Sequence, residues 1–268
     1  MINIVSLLAA AALVSLQCSY EANAQLDNTK IDLDNNLQPN IIPTQRRRLR
    51  KFVRITGPPP ERARFLPGTR LVLECEVMGS PAPTVQWLKN GEPVTEYEDE
   101  TNEIPTHHPT SIACLTSKLV INSASNGDVF TCVGTSGTKE DSVSTTIYSN
   151  DEESPKLLTL EKLFRVPSKP IITAFYNNVF QEIGTTLIMP CRVHSFTDHQ
   201  ILWQDNNGDV VYSGSRIRVL PSGDLLIAGL RWADMGEWAC TAKNMYGVDT
   251  TTTFLYPVKP RQQNIGLT

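Results

Sequence analysis

Apolar and polar positions alternate with a period of two in several short runs, and the same order of runs occurs twice. Leu71-x-Leu73-x-Cys75-x-Val77 is followed by Val85-x-Trp87, Leu119-x-Ile121 and Phe130-x-Cys132. Further along come Leu187-x-Met189-x-Cys191-x-Val193, Ile201-x-Trp203, Leu225-x-Ile227 and Trp238-x-Cys240. Alternation of this kind sends every second side chain into a core and describes half-buried strands. Asn90-Gly91 and Asn206-Asn207-Gly208 sit where tight hairpin turns are needed, because Asn and Gly tolerate the positive φ of such turns. The pattern predicts an all-β chain built from two copies of one unit of roughly a hundred residues.

In both copies Trp follows the first Cys by twelve positions: Cys75 and Trp87, then Cys191 and Trp203. The second copy closes with Leu225, Ile227, Leu230, Asp234, Gly236, Trp238, Cys240, Asn244 and Gly247 in an order that suits an immunoglobulin sandwich. There, two Cys join the sheets, Trp packs on the bridge and the Leu/Ile set fills the core. We therefore expect two tandem immunoglobulin-like sandwiches of the intermediate or C2 type, at 51–148 and 169–257. Each bridge must span the sheets of its own sandwich, which pairs Cys75 with Cys132 and Cys191 with Cys240. Each closes a loop worth about 4 kcal/mol on the chain-entropy model. The first copy is the looser match. It carries Phe130, which has no hydroxyl for a tyrosine corner, and a long insertion from about Glu92 to Pro109. His107 and His108 lie beside acidic residues in that insertion. Adjacent side chains on a loop point apart, however, so no metal site is expected.

Residues 1–24 are mostly apolar from Ile2 to Leu16 and end in Ala22-Asn23-Ala24, as in a cleaved secretory signal peptide. Residues 25–50 read as a disordered arm that ends in a basic block, and 258–268 as a polar tail without a lipid-anchor pattern. No other stretch has the length of a membrane span. The expected product is secreted, extracellular and not inserted in a membrane. A net charge of -4 does not suggest a nucleic-acid partner. The block Arg46-Arg47-Arg48-Leu49-Arg50-Lys51 admits three readings: a solvated charge run, a contact for heparan-type polyanions, or a processing site. Removing Cys18 with the leader leaves five cysteines, so Cys114 is expected to be unpaired or to form an intermolecular disulfide that makes a dimer.

The stretch 149–168 is long for a linker between such domains. Its second half holds Leu157, Leu158, Leu160, Leu163 and Phe164, where a spacer would be polar. These side chains either dock onto the two domains or form part of a partner site. Trp232, in the turn before the Asp234–Gly236 corner, is either a lid on its own domain or an exposed interface anchor. No nucleophile elbow, phosphate-binding loop or zinc-protease motif is present, so the chain reads as a binding protein with no cofactor, not an enzyme.

Beyond the general pattern, several segments carry a closer likeness. They are Met78-Gly79-Ser80-Pro81-Ala82-Pro83-Thr84-Val85-Gln86-Trp87, Thr131-Cys132-Val133-Gly134, Lys169-Pro170-Ile171-Ile172, Pro190-Cys191-Arg192-Val193-His194, Gly223-Asp224-Leu225-Leu226-Ile227 and Trp232-Ala233-Asp234-Met235-Gly236. Over about residue 50 to Pro257 the chain resembles the secreted insulin-binding proteins of insects with two immunoglobulin domains, of the neural/ectodermal development factor type. The resemblance implies binding of insulin-like peptides outside the cell and antagonism of insulin-receptor signalling. The alternatives are a neuronal adhesion or guidance ligand and a matrix protein held by polyanions.

Overall fold

The computed structural model describes residues 51–66, 69–94, 108–148 and 168–260. In the first half the strands are β1 (Phe52–Gly57), β2 (Arg62–Arg64), β3 (Leu71–Ser80), β4 (Thr84–Lys89), β5 (Glu92–Pro93), β6 (Ile112–Ile121), β7 (Val129–Ser136) and β8 (Lys139–Tyr148). The second half supplies β9 (Ile171–Glu182), β10 (Leu187–Met189), β11 (Cys191–His194), β12 (Gln200–Gln204), β13 (Ile217–Val219), β14 (Leu225–Ile227), β15 (Gly236–Asn244) and β16 (Gly247–Val258). Between β14 and β15 a single 3-10 turn covers Trp232–Asp234.

Each half is a sandwich with its own disulfide. Cys75–Cys132 bridges β3 to β7, and Cys191–Cys240 bridges β11 to β15. Around the first bridge lie Leu73, Val77, Trp87, Leu119, Ile121, Phe130 and Ile147, all buried. Around the second lie Met189, Trp203, Leu225, Ile227, Leu230, Trp238 and Leu255. The tryptophans also satisfy their polar atoms: Trp87 Nε1 donates to Ser117 Oγ at 3.0 Å and Trp203 Nε1 to the Gly223 carbonyl at 2.9 Å. Trp238 takes the place of a corner tyrosine and donates back to the Asp234 carbonyl at 3.0 Å. Phe130, at the same point of the first half, is simply buried. At the Asn90-Gly91 turn both residues have positive φ, 52° and 89°, as a tight hairpin requires.

One sheet crosses both halves. Its order is β1-β3-β6-β9-β16-β15-β12, with β11 also paired to β9. The join is β6 to β9, antiparallel, from Ile112↔Phe180 to Ser117↔Ala174, with a bulge after Cys114. The physical reason lies in strand supply. An immunoglobulin sheet normally flanks its E strand, here β6, with a D strand. Among the described residues β9 occupies that edge of β6. Pairing removes an open row of N–H and C=O groups from a strand that is otherwise apolar. The cores meet at the join: Ala113 and Leu115 of β6 pack with Ile172, Tyr176 and Val179 of the second half.

The expected spare thiol at Cys114 is corrected. Cys114 is disulfide-bonded and no described cysteine is free. The odd count arose from discarding Cys18 with the leader; with all six cysteines the parity is even. The signal peptide, the arm with the basic block up to Arg50, the insertion from 95 to 107, the linker residues Leu157, Leu158, Leu160, Leu163 and Phe164, and the end of the tail also fall outside the described residues.

Candidate functional site

The shared sheet has an inner surface, set by the two cores, and an outer surface. Because strand residues alternate, the outer surface can be read from the register. On β15, Trp238, Cys240 and Ala242 go inward, so Glu237, Ala239, Thr241 and Lys243 go outward. Their partners on β16 are Phe254, Thr252, Thr250 and Val248. On β12, Gln200, Leu202 and Gln204 lie beside Lys243, Thr241 and Ala239.

Aromatic rings collect at one end of this surface. Tyr256 pairs with Phe180 across β16 and β9, and their rings lie 5.7 Å apart. Trp232 meets the Tyr256 ring edge-on at 5.9 Å. The row continues on the first half, since Phe180 pairs with Ile112. Trp232 is 50% exposed and stands on the Tyr256 ring. The fold holds it there through Asp234, whose carboxylate accepts both guanidinium nitrogens of Arg216 at 2.8 Å and the Arg231 N–H at 2.8 Å. That clamp fixes the 3-10 turn from which Trp232 projects. Phe254 lies nearby and is also exposed.

Over the first half part of the outer surface is closed, while Val72 and Glu74 stay exposed. Met78, Ile112, Cys114, Thr116 and Val120 are buried although they point away from the core positions of their strands. Glu76 sits among them and ties three strands. Its carboxylate accepts Thr56 Oγ1 at 2.8 Å and Asn177 Nδ2 at 2.7 Å, while Asn177 Oδ1 accepts Thr116 Oγ1 at 3.0 Å. Burial raises the pKa of Glu76, helped by repulsion from Glu74, against the lowering effect of its hydrogen bonds. Sequence reading missed this cluster, because Asn177 and Glu76 belong to different sandwiches and only the β6–β9 join brings them together.

Other singled-out residues have local roles. Arg62 stacks over the Tyr148 ring at 5.3 Å and Arg70 over Phe196 at 5.2 Å, so two arginines near the basic block are engaged within the fold. His108 Nδ1 is 2.8 Å from Thr110 Oγ1. Among the described residues no group of three or more His, Cys, Asp or Glu is placed to hold a metal, and no helix is long and apolar enough to cross a membrane.

Comparison with known proteins agrees with this architecture. The immunoglobulin domain model matches residues 54–136 and 169–244. The chain is 33% identical over 233 residues to "Neural/ectodermal development factor IMP-L2" of Drosophila melanogaster, covering 85% of each chain. It is 26% identical over 197 residues to "Zwei Ig domain protein zig-2" of Caenorhabditis elegans, covering 71% of this chain and 79% of that one. The crystal structure of neural ectodermal development factor IMP-L2 superposes with a TM-score of 0.67 at 30% identity, over 79% of this chain and 97% of that one.

Proposed function

The chain belongs to the family of two-immunoglobulin-domain proteins that includes neural/ectodermal development factor IMP-L2, and on that premise we propose that it is a secreted, extracellular binding protein for insulin-like peptide hormones. By holding such a hormone it keeps the hormone from its receptor and so antagonises receptor signalling. The observation that carries this reading is the open aromatic row of Trp232, Tyr256 and Phe180 on a sheet continuous across both domains. Insulin-like hormones present a small apolar and aromatic receptor-binding face. Large rings with low side-chain entropy, fixed on paired strands, bind such a face at little ordering cost. The disulfide in each core suits the oxidising space outside the cell.

The test is titration calorimetry with an insulin-like peptide on the wild type and on Trp232→Ala/Tyr256→Ala, with circular dichroism as the folding control. Loss of at least about tenfold in affinity, about 1.4 kcal/mol, is expected in the folded variant. A wild type that binds no such peptide would overturn the function. Unchanged affinity in the variant would overturn the aromatic row as its site.

A further inference from the structure

The outer surface of β15 and its neighbours carries a second pattern, apart from the aromatic row. Glu237 and Lys243 are its charged side chains on β15, six residues apart and both exposed, on either side of Ala239 and Thr241. At about 3.4 Å per residue the two charges stand roughly 20 Å apart along the strand. Neither has an ion-pair partner among the described residues. Around them the surface is uncharged and partly apolar: Leu202 is 43% exposed, Val248 46% and Phe254 38%. The hydroxyls of Thr241 and Thr250 lie 3.0 Å apart and one donates to the other, so covering them leaves a single hydroxyl proton to be met by the partner.

This arrangement is self-complementary. Consider a twofold axis lying between two copies of the face, parallel to the sheets and crossing β15 near Cys240. It sets β15 against β15 of a second copy running the other way. Glu237 then faces Lys243 of the second copy, and Lys243 faces its Glu237. The same rotation brings Phe254, the neighbour of Glu237, over Val248, the neighbour of Lys243. Small side chains, Ala239, Thr241, Thr250 and Thr252, fall at the centre, where aligned sheets approach to about 10 Å. A twofold axis along the strand would instead put Glu237 on Glu237 and Lys243 on Lys243, which is repulsive. The charges therefore select one symmetric partner, as an isologous interface requires.

We propose that this chain forms a non-covalent twofold dimer through the outer face of β12, β15 and β16, with Glu237–Lys243 pairs closing both ends. The proposal does not depend on hormone binding and is tested on the chain alone.

Sedimentation equilibrium of the secreted chain over a range of concentrations gives the dimer constant. The wild type is expected to dimerise. Glu237→Lys and Lys243→Glu should each weaken dimerisation at least about tenfold, because each turns both end pairs into like charges. The double variant Glu237→Lys/Lys243→Glu should restore it, since both pairs re-form with reversed sign. A chain that stays monomeric throughout overturns the proposal, as do single reversals without effect or a double reversal without rescue. A band of twice the monomer mass on a non-reducing denaturing gel would assign the dimer to a disulfide and also overturn it.

Discussion

Asn177, in the first strand of the second domain, donates its side-chain amide to the carboxylate of Glu76 in the first domain at 2.7 Å. The residues are 101 positions apart, and the bond crosses the β6–β9 join beside the β-bulge. Glu76 also holds Thr56 of the edge strand, so one buried carboxylate ties β1, β3 and β9. A low-dielectric site makes such a cluster sensitive to any change in its members.

The first prediction concerns pH. Burial raises the Glu76 pKa above its ordinary 4.5, so the folded protein binds the proton more tightly than the unfolded chain does. The stabilisation linked to that proton is complete below about 4.5 and is lost as pH rises through the raised folded value. Glu76→Gln cannot titrate and should lack this contribution. Urea unfolding of both proteins at several pH values is expected to show wild-type stability falling relative to the variant as pH rises above 4.5. A difference independent of pH would contradict it.

Gly134 is a steric prediction. A Cβ at this position would lie 2.6 Å from Cγ1 of Val77, a residue fully buried in the first core. Val77 is stiff and hemmed in, so it cannot yield cheaply. Gly134→Ala should destabilise by about 1–3 kcal/mol. In Gly134→Ala/Val77→Ala the two losses should be clearly less than additive, because the second change removes the clash. Denaturant melts of the single and double variants decide it.

Arg216 is predicted to stabilise the turn below Trp232. Asp234 is buried and accepts both guanidinium nitrogens, whereas the Arg216 side chain is 29% exposed. Arg216→Ala leaves a buried carboxylate without its charge partner. Allowing for the exposed side of the pair, the cost should be about 2–3 kcal/mol. Arg216→Lys keeps the charge but not the fork, and is expected to recover only part of it. Thermal melts provide the measurement, and Trp232 fluorescence should shift with the loosened turn.

The linker supplies the fourth prediction. Leu160→Ser with Phe164→Ser should weaken binding of an insulin-like peptide by at least about tenfold, or 1.4 kcal/mol. Both disulfide-centred cores should stay folded, since described residues of the two sandwiches fill them. Calorimetry on the double variant, with circular dichroism beside it, tests this. Unchanged affinity would make the segment a spacer.

The sequence by itself determined the local units. The period-two runs, the Cys–Trp spacing and the Asn-Gly turn each depend on residues close in the chain, and each constrains one sandwich almost without reference to the other. Trp203, Leu225 and Ile227 go inward because alternation leaves them no other face. What the tertiary structure decided is everything that needs two distant strands at once. Among the described residues β9 occupies the edge of β6, and no periodicity reports which distant strand fills an edge. The bond from Asn177 to Glu76 follows from that join, and the pairing of Phe180 with Tyr256 beneath Trp232 follows from the β9–β16 ladder. Cys114 shows the same limit: its spacing predicts no partner, and its disulfide is a matter of which segment reaches a buried position on β6. Alternation along a strand is a property of the backbone, while the choice of neighbouring strand is a property of the assembled sheet.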